Sequence, residues 1–230
     1  MQKLLTKGID HKDFKKSKLG KIPMNWEVKT VSELNNFNKN TVQTGPFGAE
    51  LHASDYVKKG IPLILIRNIK DNGLDTNNIP KITLKDAQRL EKYRLQEGDI
   101  VFSRVGRVGS CFLTEKNQVG WVISGQTLRI RITNKDIYIK FLNLVLKSEG
   151  AQKEIIGESV GSTRTSINTK ILENLTLPIP KIDEQKKIVS IMTSINKFIE
   201  NKAIKLKKIQ DLKKSIMQDL LTGKVKVKVN

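Results

Sequence analysis

The sequence predicts a mixed α/β (α+β) globule followed by a long C-terminal α-helix of the coiled-coil-forming kind. Three observations carry this. Residues 20–180 alternate short strand-like runs with short amphipathic helical ones. Pro178 and Pro180 then stop the chain from continuing as a strand. Beyond them, apolar residues recur at spacings of four and three from Ile188 to Leu220, which is the heptad period.

Taken in order, residues 1–19 are polar and basic with little pattern and read as a mobile basic leader. The segment LGKIPMNWEVKTVSEL opens the domain, with Pro23 and Trp26 as an anchoring turn and VKTVSEL as a short strand or the start of a helix. NTVQTGPFGAELHASDY is a loop punctuated by Gly45, Pro46 and Gly48. IPLILIRNI, residues 61–69, is a continuous apolar run between Gly60 and Asp71-Asn72-Gly73 and predicts a central strand. Residues 84–95 predict a short helix, and EGDIVFSRVGRVGSCFLTE two strands around a Gly-rich turn. In residues 120–133, Leu128, Ile130 and Ile132 alternate with Arg129 and Arg131, as in a strand with two unlike faces. Residues 136–159 predict an amphipathic helix with Ile139, Leu142, Val145 and Leu146 on one side. Thr169 or Asn168 caps a further short helix, and Leu175 and Leu177 mark a final strand.

The long helix is expected over 183–222, with Asp183 as its cap, Glu184 in its first turn and Gly223 just past its end. Its seam runs Ile188, Met192, Ile195, Ile199, Lys202, Leu206, Ile209, Lys213, Ile216 and Leu220. A helix of that length spans roughly 57 Å at ~1.5 Å per residue. Such a stripe needs cover, either from a helix of another chain or by folding back on the globule. Residues 181–230, the helical spacer and its basic tail, are also the most basic part of the chain, with 13 Lys/Arg against five Asp/Glu.

A formal net charge of +19 favours a polyanionic partner, although a lysine-rich composition alone would also produce it. Aromatic residues make up only 5%, which disfavours a broad stacking platform for single strands. Cys111 is the single cysteine, so an intrachain disulfide and a cysteine-rich zinc site are excluded. His11 and His52 are the two histidines, and His52 beside Asp55 reads as a loop histidine. The sequence has no GxxxxGK[ST] run, no GxGxxG with a following acid, no Asn-Pro-Pro-aromatic run and no carboxylate cluster. No catalytic residue, metal or cofactor is therefore expected. No apolar run approaches ~20 residues, so no membrane span is expected, and without a secretory signal pattern a cytoplasmic protein is expected. The candidate DNA contacts lie in Gly-flanked loops and nearby basic positions: Lys58, Arg67, Asn68, Lys70, Arg104, Arg107, Gln126, Ser162, Thr163 and Arg164. Arg can fork onto guanine, Asn and Gln can pair with adenine, and Ser, Thr and Lys hold phosphates. Each is equally readable as a solvated charge or turn residue. A nucleic-acid adapter and a free-standing nuclease are the competing readings, and the nuclease lacks a metal site.

Several segments, in their order and spacing, resemble one family. FKKSKLGKIPMNWEVKTVSEL, GPFGAELHASDYVKKGIPLILIRNI, LQEGDIVFSRVGRVG, GSTRTSINTKILENLTLPIPKIDEQKKIVSIM and the closing QDLLTGKVKVKV are similar to the specificity subunit of type I restriction–modification systems. The resemblance covers residues 14–228 and is to half of such a subunit, one target-recognition domain with one helical region. It implies a non-catalytic protein that recognises one half of a bipartite site in double-stranded DNA. It further implies docking to a modification (methyltransferase) subunit, which carries S-adenosylmethionine, and to a restriction (motor) subunit. Because the family's usual chain pairs two such helices, a homodimer is expected here. Its interface would be Ile188, Met192, Ile195, Ile199, Leu206, Ile209, Ile216 and Leu220.

Overall fold

The computed structural model describes residues 2–47, 50–71, 73–159 and 166–224. The chain divides into two compact units, residues 1–188 and 189–230, so the division falls inside the long helix and not at the prolines before it.

The first unit begins with helix α1 (Gln2–Lys7) and the hairpin of β1 (Phe14–Ser17) and β2 (Gly20–Pro23). The expected mobile leader is thus ordered. Leu5 is buried, and a single carboxylate, Glu184, gathers the segment: it accepts from the Ile9 amide at 3.1 Å, from the His11 ring at 2.7 Å and from Trp26 Nε1 at 3.0 Å. His11 also meets the Trp26 ring edge-on, at 6.3 Å between centroids. Gly8 passes so close to Glu184 and His11 that a Cβ would strike both, and its φ of +66° suits glycine. These partners lie 158 to 175 residues apart, beyond the reach of local sequence pattern.

Strand β3 (Glu27–Thr30) runs straight into α2 (Val31–Leu34), so VKTVSEL is both strand and helix start. Thr30 and Glu33 form a reciprocal capping box there. Next come β4 (Val42–Thr44), β5 (Ile61–Ile64), the two-residue strands β6 (Ile69–Lys70), β7 (Gly73–Leu74) and β8 (Lys81–Ile82), and helix α3 (Leu84–Arg89). The apolar run 61–69 is shorter as a strand than its composition predicts. The Asn68 side chain accepts from the Leu65 amide at 3.1 Å and donates to the Asp75 carbonyl at 3.3 Å, closing a turn after Ile64. β5 is nevertheless central in its sheet, between β8 and β11 (Val122–Ile123), which runs parallel to it.

The other main sheet is antiparallel, in the order β10 (Cys111–Leu113), β9 (Ile100–Ser103), β12 (Thr127–Ile130), β4. Leu63, Ile64, Ile82, Val101, Phe112 and Ile123, drawn from both sheets, share one core. Register puts Phe112, Val101, Arg129 and Gln43 in a single cross-strand row, hence on one face. The arginine face expected of residues 120–133 is therefore a covered face. Arg129 is 1% exposed; it donates to Gln43 Oε1 at 2.7 Å and to the Lys92 carbonyl at 3.4 Å. Burial, and then the charge of Arg131, pushes its guanidinium down to about 10, with Asp99 acting the other way, so it stays charged at neutral pH. Arg131 grips the buried Asp99 with two bonds of 2.7 Å, and Asp99 also accepts from the Gln96 amide at 2.7 Å.

The amphipathic stretch 136–159 is two helices, α4 (Ile139–Leu146) and α5 (Glu149–Ser159). Ser148 breaks it by accepting from the Ala151 amide at 3.4 Å, while Gln152 donates to the Leu146 carbonyl at 2.7 Å. Asn168, rather than Thr169, caps α6 (Thr169–Asn174). β13 (Thr176–Ile179) then pairs with β3 alone, which leaves room for Pro178.

Helix α7 (Ile182–Leu221) has 40 residues, roughly 60 Å at ~1.5 Å each. It starts one residue earlier than expected. The Lys181 carbonyl receives the first helical bond, and Asp183 and Glu184 both lie in the first turn. Gln185, fully buried, accepts from the Tyr138 amide at 2.7 Å and donates to the Pro180 and Asp136 carbonyls at 2.9 and 3.0 Å. Gly223, at φ +70°, follows the helix end as expected. The second unit carries an apolar series including Ile195, Phe198, Ile199, Leu206, Ile209, Leu212, Ile216 and Leu220, each at least 41% exposed.

Asp99→Ala is expected to cost about 3–5 kcal/mol of unfolding free energy, because it strands a half-buried guanidinium and a backbone amide. Lys29→Ala, which removes the exposed pair with Glu27, is expected to cost less than about 1 kcal/mol. Urea melts of the two variants check both values.

Candidate nucleic-acid interface

Strand direction decides what can meet. β4, β5, β9 and β11 end, and β12 begins, at the same end of the first unit. Their loops are stitched together there. The Gly45 amide donates to the Thr127 carbonyl at 3.1 Å, the Arg104 amide to the Gln126 carbonyl at 3.0 Å and the Ser124 amide to the Ile64 carbonyl at 3.0 Å. Gly45 lies against the Ser124 carbonyl and Gly125 against that of Pro46, so closely that a Cβ on either would collide with backbone. Any larger residue at these two positions would drive the loops apart.

This convergence places Arg67 and Gln126, both exposed, on the wall of one cleft of about 340 Å³ that also includes Phe47, Tyr56 and Leu65. Arg104, half-buried, lies over the Phe47 ring at 5.2 Å from its centroid, and the ring itself is 53% exposed. The loop carrying Phe47 is held from its far side by Glu50. The Tyr93 hydroxyl donates to the Glu50 carboxylate at 2.6 Å, and Arg89 donates to its carbonyl at 2.7 Å. The Tyr93 bond, helped by Lys92, keeps the Glu50 carboxyl below the usual range despite some desolvation. Glu50, Tyr93 and Phe47 shape this cleft in a way that composition and spacing leave unmarked, because their partners lie 43 to 57 residues away.

Arg107 is exposed at the tip of the β9–β10 hairpin, 3.3 Å from Asp71, which also accepts from Ser110 at 2.9 Å. Both charges are open to solvent, so the pair is weak and Arg107 is available to a stronger anion. Lys70, half-buried, precedes Asp71 at the end of β6. One expected residue does not join this cluster. Asn68 is 2% exposed with its amide committed to the turn described above, so its edge is not presented. Lys58 is exposed and lies in the segment before β5. Ser162, Thr163 and Arg164 lie outside the described residues, although Ile167, close after them, donates to the Arg104 carbonyl at 3.0 Å.

Chemically the cluster offers forked and planar donors, an amide that both donates and accepts, and an aromatic face. That set suits base edges and phosphates. Among the described residues no group of three or more His, Cys, Asp or Glu could hold a metal ion, and no helix is long and apolar enough to cross a membrane.

Of the eight expected interface residues on α7, Ile188 and Met192 are already buried. Ile195, Ile199, Leu206, Ile209, Ile216 and Leu220 are 41–57% exposed.

The chain is similar to known proteins in sequence and in fold. Residues 23–211 match the family described as Type I restriction modification DNA specificity domain. The Type I restriction enzyme MjaVIII specificity subunit of Methanocaldococcus jannaschii is 29% identical over 99% of this chain and 53% of its own length. The EcoBI specificity subunit of Escherichia coli is 29% identical over 89% of this chain and 43% of its own. The chain therefore spans about half the length of the curated relatives it matches. In fold, it is similar to the type I restriction–modification S subunit from M. genitalium, with a TM-score of 0.53 at 14% identity over 86% of this chain and 46% of that one. The HsdS subunit from Thermoanaerobacter tengcongensis gives 0.53 at 16% identity, over 82% and 41%. With a family match over most of its length, the chain belongs to the type I restriction–modification DNA specificity family.

Proposed function

We propose that the chain recognises one half of a bipartite site in double-stranded DNA and serves, without catalytic activity of its own, as the specificity component of a type I restriction–modification complex. The observation that carries this reading is the meeting of Arg67, Arg104 and Gln126 at one end of the two sheets, in a protein of net charge +19. Arg67 and Gln126 face outward on a cleft rim, where their side chains can enter a groove and read base edges. Arg107 releases Asp71 and takes a phosphate. The names of the relatives support the same assignment, as restriction enzyme specificity subunits. The modification subunit, with its S-adenosylmethionine, and the restriction subunit are the partners this role requires.

The exposed series Ile195, Ile199, Leu206, Ile209, Ile216 and Leu220 suits a partner helix, and we assign it to a second copy of this chain, antiparallel. A two-fold pair reads both half-sites with the same surface. The target is then an interrupted palindrome whose gap is set by the helices.

Binding titrations against duplexes selected from a random pool test the site. Gln126→Ala is expected to cost ~1–3 kcal/mol on the selected sequence and to relax one position of it. Arg107→Ala is expected to weaken all sequences alike and to flatten the salt dependence by about one unit, and Asp71→Asn to strengthen all of them. Unchanged binding in Gln126→Ala and Arg107→Ala would remove these loops from the interface.

Sedimentation tests the pairing: a dimer is expected at tens of micromolar and a monomer for the double variant Ile195→Asp, Ile209→Asp. Mapping of methylated adenines in cells that carry the chain with its modification subunit is expected to give an interrupted palindrome. An asymmetric motif would instead point to a second, different specificity chain as partner.

A further inference from the structure

We propose that Phe47 is an intercalating side chain, which enters the base stack of the half-site at one step and kinks the duplex there. The inference rests on the DNA-reading role assigned above and adds how that reading deforms its target. Four observations meet at this residue. The ring is 53% exposed, although it lies beside the cleft-lining apolar residues Leu51, Tyr56 and Leu65, which could have covered it. It stands among the outward-facing Arg67 and Gln126, at the place where base edges would be read. Its face carries the Arg104 guanidinium at 5.2 Å, so a cation travels with the ring toward the phosphates flanking an opened step. Its backbone is fixed in advance: Pro46 restricts the chain before it, Gly45 is bonded to Thr127, and Glu50 is bonded to Phe47 at 2.9 Å and to Tyr93 at 2.6 Å. A ring whose own carbonyl and preceding residues are held in this way loses less freedom on insertion, and apolar side chains of this kind are what unstacks base steps in architectural DNA-binding proteins.

Other exposed aromatics lack this setting. Phe37 is 71% exposed, but it lies at a φ of +56° in the turn after α2, and the cation contacts of the described residues fall on Phe47, Tyr93 and Phe198. Phe198, which carries Lys202 at 5.1 Å, belongs to the apolar series of the long helix.

The test uses the full chain with duplexes that it selects from a random pool, labelled at both ends for resonance energy transfer. Failure to enrich any sequence overturns the DNA reading itself, and this inference with it. With an enriched duplex, the wild-type complex at saturation is expected to show a kink of at least about 20°. Phe47→Ala is expected to bind about 10- to 100-fold more weakly and, at saturation, to leave the duplex straight. Phe47→Leu keeps an apolar wedge and is expected to retain the kink. Because the ring is half exposed, Phe47→Ala is expected to melt with the wild type. If it melts low, Phe47→Gln, which fills similar space with a polar chain, carries the same expectation of a straight duplex. Enrichment with a straight wild-type complex, or a kink that survives both Phe47→Ala and Phe47→Gln, overturns the insertion and leaves the DNA reading standing.

Discussion

Asp99 sets the register on which the loop end of the domain depends. β12 is an inner strand of the four-stranded sheet; its Arg129 side chain lies on a covered face, and Arg131, just past its end, is half-buried. Asp99 takes Arg131 with two short bonds and offsets part of the cost of burying Arg129 nearby. A buried pair of this kind contributes little net stability compared with an apolar substitute, but it penalises alternatives heavily. A one-residue slip of β12 would send both guanidinium groups to the face that now holds Phe102 and Leu128, and would leave Asp99 uncompensated. The register so fixed pairs Thr127 with Ser103 and Leu128 with Thr44, and therefore decides that residues 45–46, 104 and 124–126 emerge side by side. The reading surface proposed for DNA is a consequence of that register.

A second set of buried polar contacts does comparable work at the start of α7. Glu184 collects three donors from the N-terminal segment and from Trp26, and Gln185 spends its whole amide on backbone groups before the helix and near α4. The first turn of the helix is thereby built into the globule, which is why the compact unit extends to Ile188 and the prolines are no boundary. The acidic residues of that turn serve the helix dipole and tertiary structure together.

The parts of this architecture visible in the sequence are those with a period or a local partner. The heptad series places the helix to within a residue at each end, and glycines mark the β9–β10 hairpin. Arg67, Arg104 and Gln126 are each readable as ordinary solvated residues and stand out only as a set of one chemical type in loops, and the structure brings them together. What escapes the sequence is long-range. Arg129 reads as one of two unlike faces of a strand because alternation distinguishes the faces without showing that both are covered. Asn68 reads as a DNA contact because nothing local shows that its amide closes a turn with Leu65 and Asp75. Residues 1–19 read as mobile because the anchor of their first part, Glu184, lies more than 170 positions away.

The central claim is that the chain meets DNA through the loops at this one end of its two sheets. Amide hydrogen exchange of the full chain, with and without a duplex it has selected, tests that most directly. The account predicts that protection on binding concentrates in residues 44–47, 65–71, 104–110 and 124–127. Protection that falls instead on residues 57–60 and 113–117, at the opposite ends of β5 and β10, with the first set unchanged, would contradict it.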